Sequence, residues 1–196
     1  MRAYVIAMEC EADCVRPFLR GDDMLVVSGI GKVNAAAAAQ RAIDAGADEI
    51  WNAGLCGGFG DDVELGGVYE VESAVEYDFD LADLNGTAIG VLDGRSSPYI
   101  PCSVRGGFAA RRLATGDRFN DSEADHGLIR DTLGCSLRDM EGAAIAHVCE
   151  LAGVPCRELK CVSDVAGKGS MTGQYESNKQ ACLVRLSEAL AKACAM

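Results

Sequence analysis

The chain has 196 residues and a formal net charge of −12. This length predicts a single domain, since about 100 to 200 residues is usual for one domain, and it is enough to bury a full core. The acidic charge argues against nucleic-acid partners, because that kind of binding depends on neutralising phosphates. No apolar run approaches the roughly 20 residues that a membrane-spanning helix needs, so we expect no membrane partner.

The ten cysteines are scattered through apolar segments and form no CxxC pair. We therefore expect buried free thiols rather than disulfides or a metal cluster. With only two histidines in the chain, a zinc site is also disfavoured. The first residues contain no apolar stretch typical of a secretory leader. We predict a cytoplasmic protein without a bound metal.

The first half of the chain alternates predicted strands and helices. Apolar runs predict buried strands at Ala3–Met8, Met24–Ser28 and Glu49–Ala53, and the alanine-rich stretch Val33–Ala45 predicts a helix. Acidic residues follow the first strand, and one interpretation of Glu11 is a carboxylate that stabilises the first turn of a helix.

A glycine turn precedes the helix at Val33, in the sequence SGIGKVNAAAA. Its spacing resembles a dinucleotide-binding fingerprint, which is a weak signal by itself. The acidic residue that should follow the next strand is missing, because that strand closes on Asn52-Ala53-Gly54. We therefore expect no cofactor.

The middle of the chain is poor in regular structure. A short strand is predicted at Gly67–Val71 and another at Arg112–Thr115, and the residues between Asp78 and Ala114 carry several glycines and prolines that break regular elements.

The last part of the chain returns to a helix and strand pattern. Apolar residues recur at three- and four-residue intervals over Gly142–Leu151, Gly153 provides a stop, and Arg157–Val162 predicts a strand. Asp164 would then lie just past the carboxyl end of a strand, where open α/β sheets bind ligands. A closing amphipathic helix is predicted at Tyr175–Ala193.

This alternation predicts an α/β fold in three layers, with a mostly parallel central sheet flanked by helices on both sides. The carboxyl ends of its strands would bring Glu11, Gly54 and Asp164 to one rim.

Residues 138–167 read RDMEGAAIAHVCELAGVPCRELKCVSDVAG. This stretch resembles the active-site half of the methylthioadenosine/S-adenosylhomocysteine nucleosidases, in the wider nucleoside phosphorylase and nucleosidase superfamily. The match consists of a Met-Glu pair, a helix of small residues, and Ser-Asp after the next strand. The resemblance implies a nucleoside phosphorylase-like fold, hydrolysis of a purine nucleoside and assembly as a homodimer.

The resemblance also assigns roles at the active site. Asp164 matches the acid that protonates the purine at N7, and Glu11, in Ala-Met-Glu-Cys-Glu, matches the general base that activates water. Glu141 matches the glutamate that accepts hydrogen bonds from the ribose hydroxyls. Met8 and Met140 match the methionines packed against the sugar.

Further binding residues are implied by the same matched motifs. Phe119, in Gly-Asp-Arg-Phe-Asn-Asp, matches the phenylalanine that stacks on the purine, and Asn120 follows it. Gly57 lies in the glycine-rich segment beside the nucleoside, and Ser163 precedes the acid. Lys160 stands where the family often has an arginine that supports the ribose-binding glutamate.

The chain departs from the family pattern in two places. Leu55 stands where the family often has a serine, and the segment from Asp78 to Ala114 is shorter than the family's insert and is expected to lack its helix. That segment normally helps to form the pocket around the 5′ substituent, partly across a dimer interface. The resemblance therefore implies a 5′-substituted adenosine, such as methylthioadenosine or S-adenosylhomocysteine, without identifying the 5′ group.

Two alternatives remain open from the residues alone. Phosphorylases of this superfamily hold phosphate with an arginine-bearing loop, whereas Glu9 and Glu11 would repel phosphate here, although Arg16 or Arg20 could reach back. A non-catalytic nucleoside-binding protein would explain Leu55 and the short middle. Retention of all the matched carboxylates favours the hydrolase. The purely structural interpretation is that Glu141 is a carboxylate at the start of a helix and that Asp164 is a helix-capping aspartate.

Overall fold

A computed structural model describes residues 1–195 of the chain. The strands are β1 (Arg2–Ile6), β2 (Met24–Val27), β3 (Glu49–Gly58), β4 (Val68–Glu76), β5 (Ile100–Pro101), β6 (Ala110–Thr115), β7 (Leu137–Asp139) and β8 (Cys156–Val165). The helices are α1 (Glu9–Val15), α2 (Lys32–Asp44), α3 (Ala82–Asn85), α4 (Glu123–Gly127), α5 (Gly142–Ala152) and α6 (Met171–Ala195), with a 3-10 turn at Arg16–Phe18 and a π-helical turn at Leu128–Thr132.

The strands form one mixed sheet with the order β2-β1-β3-β7-β6-β4-β5. β1 pairs in parallel with β2 and β3, β3 with β8, and β6 with β4 and β7. The pairs β3–β7, β4–β5 and β4–β8 are antiparallel. The sheet is therefore mostly parallel, as the alternation of elements predicts.

The sheet also closes on itself, which the prediction of an open layered sheet did not include. β8 uses one edge to pair with β3 and the other to pair with β4, so β3, β8, β4, β6 and β7 form a ring. β3 and β8 are each 10 residues long, and strands of this length accumulate enough twist to curl toward a barrel.

Helices cover both faces of the strands. One core lies between the sheet and the pair α2 and α5, and it contains the buried alanines of α2, such as Ala35, Ala38 and Ala42. The other core lies between the sheet and the pair α1 and α6, whose buried residues include Leu186 and Leu190. The predicted arrangement of a sheet flanked by helices is confirmed.

Two strands are longer than predicted, and this corrects the position of the catalytic candidate. The predicted Glu49–Ala53 continues as β3 through Gly58, and the predicted Arg157–Val162 extends to Val165 in β8. The two strands pair with each other over almost their full length, so each supplies the hydrogen bonds that keep the other extended. Asp164 therefore lies inside the end of a strand, and the prediction that it follows the strand is wrong.

Other helix and strand boundaries also differ from the predicted ones. β1 ends at Ile6 rather than Met8, because Met8 begins the turn into α1. The closing helix begins at Met171, four residues before the predicted Tyr175. The middle segment was expected to contain no helix, but it contains one short helical turn, Ala82–Asn85. Across residues 1–195, none of the helices is both long enough and apolar enough to cross a bilayer.

Candidate active site

A cavity of about 360 Å³ opens at the carboxyl ends of β1, β3 and β8. Most of the residues predicted for the site lie on its wall, namely Met8, Glu11, Gly57, Phe119, Met140, Glu141, Ser163 and Asp164. The wall also contains residues that the sequence did not single out, namely Ile30, Arg118, Arg138, Asp139, Met171, Thr172, Tyr175 and Glu176.

Glu11 is a buried carboxyl, 3% exposed, at the start of α1. Its Oε2 accepts a hydrogen bond from the Met8 amide (3.2 Å) and its Oε1 accepts one from the Leu55 amide (2.8 Å). Burial raises the pKa of Glu11, and the Leu55 amide and the charge of Lys160 offset part of that effect. The contact of Oε2 with Met8 therefore fits a carboxylate that stabilises the first turn of α1, whereas Oε1 binds the backbone of β3. The Leu55 backbone serves Glu11 even though its side chain departs from the family serine.

Asp164 lies on the same wall and is 1% exposed. Its Oδ2 accepts a hydrogen bond from the Ser163 hydroxyl (2.8 Å), while Oδ1 is buried without a partner among the described residues. Burial raises the pKa of Asp164, and the Ser163 hydroxyl and the charge of Arg138 lower it in part. Gly57 allows this arrangement, because a Cβ at that position would lie 3.0 Å from Asp164 Oδ1.

Glu141 is held in place by the glycine turn before α2. Its Oε1 accepts a hydrogen bond from the Gly31 amide (2.8 Å), and Gly31 has φ of +102°, a conformation that favours glycine. Burial, assisted by the charge of Asp139, raises the pKa of Glu141 to about 7. The turn that resembled a dinucleotide fingerprint thus binds a carboxylate of this protein.

Glu141 does not cap the helix it precedes. The first amides of α5 are satisfied by other side chains: Asp139 Oδ2 accepts from Gly142 (2.9 Å), and Thr115 Oγ1 accepts from Ala143 (2.8 Å). The second oxygen of Asp139 accepts the Thr115 hydroxyl at 2.6 Å. Because Asp139 and Thr115 cap α5, the Glu141 carboxylate remains available to the cavity.

Lys160 is placed behind the site rather than on its wall. Its ammonium donates to Asp139 Oδ2 (2.7 Å) and to Asn52 Oδ1, and it lies 3.8 Å from Glu158 Oε2. Burial alone would lower the pKa of Lys160, but the charges of Asp139 and Glu158 outweigh it and raise that pKa. The carboxylate that Lys160 hydrogen-bonds is Asp139 rather than Glu141, whose support the resemblance implies, although the charge of Lys160 also lowers the pKa of Glu141.

Asn120 is also not among the described residues on the cavity wall. Its side chain donates to Asp125 Oδ2 (3.0 Å) and accepts from Arg138 at 3.3 Å, so it holds the turn that carries Phe119. Phe119 itself is half exposed at the cavity mouth and meets the Tyr175 ring edge to face, with 5.9 Å between ring centres. Tyr175 was predicted only as a helix residue, and no spacing signal in the sequence marks its ring for the cavity.

One group of metal-type ligands occurs among residues 1–195. The Sγ atoms of Cys102 and Cys156 and a carboxylate oxygen of Glu158 lie within 4.8 Å of one another. The cluster is separate from the cavity wall. Burial raises the pKa of Glu158 to about 7, with Lys160 lowering it and Asp139 raising it.

The fold and the cavity, whose wall carries four buried carboxyls (Glu11, Asp139, Glu141 and Asp164), together indicate the class of protein. The family described as the phosphorylase superfamily matches residues 18–195. A 5′-methylthioadenosine/S-adenosylhomocysteine nucleosidase of Chromohalobacter salexigens is 33% identical over 168 residues, covering 78% of this chain and 71% of the relative. An aminodeoxyfutalosine nucleosidase of Campylobacter jejuni is 30% identical over 162 residues, covering 74% and 69%.

Solved structures agree with this assignment. The methylthioadenosine/S-adenosylhomocysteine nucleosidase of Colwellia psychrerythraea, in complex with adenine, superimposes with a TM-score of 0.88 at 26% identity and covers 100% of this chain and 95% of that one. A futalosine hydrolase of Helicobacter pylori shares the fold with a TM-score of 0.86 at 19% identity, covering 97% and 95%. The chain belongs to the methylthioadenosine/S-adenosylhomocysteine nucleosidase family, within the phosphorylase superfamily. Nucleosidases are N-glycosyl hydrolases.

The buried ion pair of Lys160 predicts a large effect on stability. Lys160→Met leaves Asp139 and Glu158 buried without their counter-charge, so we expect the free energy of unfolding to fall by about 3 to 5 kcal/mol in urea titrations. Lys192→Met is the matched control, because Lys192 is exposed and its removal should cost less than about 1 kcal/mol. Equal stability of the two variants would contradict a structural role for the Lys160 pair.

Proposed function

We propose that this chain hydrolyses the N-glycosidic bond of a 5′-substituted adenosine, such as methylthioadenosine or S-adenosylhomocysteine, and releases the free base. The observation that carries the proposal is the pair Glu11 and Asp164: two buried carboxyls with raised pKa on the wall of one cavity. A reaction that needs one carboxyl as an acid and another as a base requires such a pair.

Asp164 acts as the general acid. Its Oδ1 has no partner among the described residues, and its raised pKa favours the protonated form. The Oδ1 proton is donated to the purine N7 while the bond between C1′ and N9 breaks. The electron pair of that bond goes to the base, which leaves as a neutral molecule instead of an anion.

Glu11 acts as the general base. Its two amide partners fix the carboxylate, and water is bound on the opposite side of the sugar from the leaving base. As the bond from the water oxygen to C1′ forms, Glu11 takes the water proton. Exchange with solvent then returns Glu11 to the carboxylate and Asp164 to the acid, so one water is consumed for each base released.

Glu141 binds the ribose. Gly31 holds one of its oxygens, and the other accepts hydrogen bonds from the 2′ and 3′ hydroxyls. Met8 and Met140 pack against the sugar, and Phe119 stacks on the purine, since all of them lie on the cavity wall. Ser163 orients the acid through its hydroxyl, and Gly57 lets the ligand approach the backbone.

The surroundings of Glu11 favour water over phosphate as the nucleophile. Arg16, one arginine that could have held phosphate, is bound to Glu9 (2.5 Å) and Asp13 (3.0 Å). Arg20 donates to the Cys194 carbonyl at 2.8 Å. Neither guanidinium is on the described cavity wall, so neither of the two arginines that could have reached back is placed to hold phosphate there.

The protein also forms a homodimer in this proposal. The cavity mouth carries exposed apolar side chains on one side, with Ile30 52% and Phe119 50% exposed, and Val33 beside them is 80% exposed. Residues 78–114 contribute nothing to the described wall of the cavity, so the part around the 5′ group is open. A second subunit that covers this side would remove the apolar patch from water and close the pocket.

The first prediction from the proposed function concerns the reaction and its general acid. The purified protein should release adenine from methylthioadenosine without phosphate, as followed by chromatography, and Asp164→Asn should lower kcat by about 10²- to 10⁴-fold because the amide cannot supply the proton. The variant should still bind the nucleoside in a thermal-shift assay. Release that requires phosphate would identify a phosphorylase, and an inactive parent that still binds nucleosides would identify a binding protein.

The second prediction concerns pH. Activity should fall as the pH drops through the pKa of Glu11, which lies above its ordinary 4.5, and through that of Glu141, about 7, and it should fall again as the pH rises through the pKa of Asp164. Because the Ser163 hydroxyl lowers the pKa of Asp164, Ser163→Ala should move only the alkaline limb of kcat/KM, upward by about one pH unit. A shift of the acid limb instead would reverse the two assignments.

The third prediction concerns assembly. Sedimentation velocity should give a dimer, and Val33→Asp should shift it toward monomer with a parallel loss of activity, because it places a charge in the apolar patch. Val184→Asp is the control: Val184 is 52% exposed on α6, away from the cavity mouth. A fully active monomer would refute the proposed dimer.

A further inference from the structure

Arg138 is a buried arginine on the cavity wall that has no carboxylate partner. It is 4% exposed, and no carboxylate of residues 1–195 lies within the 4.0 Å of an ion pair from its guanidinium. A buried charge without a counter-charge is costly, and it is retained where another group, such as a ligand, compensates for it.

The contacts of Arg138 are all with uncharged groups. Its Nη2 donates to the Asn120 carbonyl (2.8 Å) and lies 3.1 Å from Met171 Sδ, and its Nη1 donates to Asn120 Oδ1 (3.3 Å). The guanidinium also lies over the Phe59 ring, 5.6 Å from its centre. A guanidinium has five N–H donors, so these contacts leave donors for a ligand.

Arg138 and Asp164 flank the same glycine. Gly57 pairs with Arg138 in β7 on one side and with Asp164 in β8 on the other. A Cβ on Gly57 would lie 3.0 Å from Asp164 Oδ1 and 3.7 Å from the Met171 methyl, and Met171 in turn contacts the Arg138 guanidinium. The two side chains therefore approach the same end of the cavity, where the proposed acid meets N7 of the base.

The edge of a purine that carries N7 also carries its 6-substituent. In adenine that substituent is an amino group, which donates, and in 6-oxopurines it is a carbonyl oxygen, which accepts. An arginine only donates, so Arg138 complements the carbonyl. Asp164 keeps acceptor lone pairs when it is protonated and can therefore still receive a 6-amino group.

We propose that Arg138 makes this cavity competent for 6-oxopurine nucleosides in addition to adenosines, by donating to the 6-carbonyl oxygen while Asp164 protonates N7. The proposal rests on the hydrolysis proposed above. The reaction is unchanged: the C1′–N9 bond breaks, water adds to C1′, and hypoxanthine leaves in place of adenine.

The test compares 5′-methylthioinosine with 5′-methylthioadenosine, which differ only in the base. The wild type should release hypoxanthine without phosphate. Arg138→Met keeps the length of the side chain but removes its donors, and it should lower the ratio of kcat/KM for the inosine over the adenosine substrate by about 10- to 100-fold. Arg112→Met is the control: Arg112 also lies over an aromatic ring, that of Tyr99, and it is absent from the described cavity wall, so the ratio should not change.

The outcomes separate this proposal from the proposed function. Release of adenine with no hypoxanthine from the wild type would overturn the role of Arg138 and leave the hydrolase intact. Release of neither base would overturn the hydrolase itself. An equal loss for both substrates in Arg138→Met would make Arg138 a structural residue. If that variant does not fold in a thermal-unfolding control, Arg138→Leu, which also lacks donors, replaces it, and a ratio equal to that of the wild type would overturn the proposal.

Discussion

The active site depends on one buried ion pair, between Lys160 and Asp139. Lys160 extends from β8 past β3, where it binds Asn52, and reaches Asp139 at the end of β7. It therefore joins three strands beneath the cavity. Asp139 in turn binds the first amide of α5, so the same pair sets where that helix begins and where Glu141 stands. The stabilising contribution of each group depends on the others, because a charge in this layer is tolerated only with its partner.

Burial is the second physical factor that shapes the site, because it raises the pKa of the carboxyls. Glu11, Glu141 and Asp164 are each less than a tenth exposed, and burial is the main cause of the raised pKa of every one of them. The charge of Lys160 lowers the pKa of Glu11 and Glu141 and offsets part of this effect. For Asp164 the neighbouring cation is Arg138 instead, and its Oδ1 has no partner among the described residues, which suits the acid role proposed for it. The different roles proposed for the carboxyls thus follow from different neighbours.

Several features of the site could be predicted from the sequence, because local motifs carry them. The Met-Glu pair, the Ser-Asp pair and the Phe119 turn are contiguous, so their residues reach the cavity once the strands and helices form. The hydrogen bond from Lys160 to Asp139 could not be predicted, since the partner of Lys160 is selected across three strands. Arg138 lies inside the matched segment, but its lack of a counter-charge is visible only when all its neighbours are known.

The sequence by itself determined the α/β class, the family and eight residues of the cavity wall, because hydrophobic periodicity and short motifs are properties of neighbouring positions. Only the tertiary structure decided that the sheet closes through β8, that Asp164 lies within a strand, and that Asp139 and Thr115 cap α5 in place of Glu141. Each of these depends on hydrogen-bond partners far apart in the chain. Buried polar groups must form hydrogen bonds, and which donor pairs with which acceptor is decided only when the whole fold is assembled.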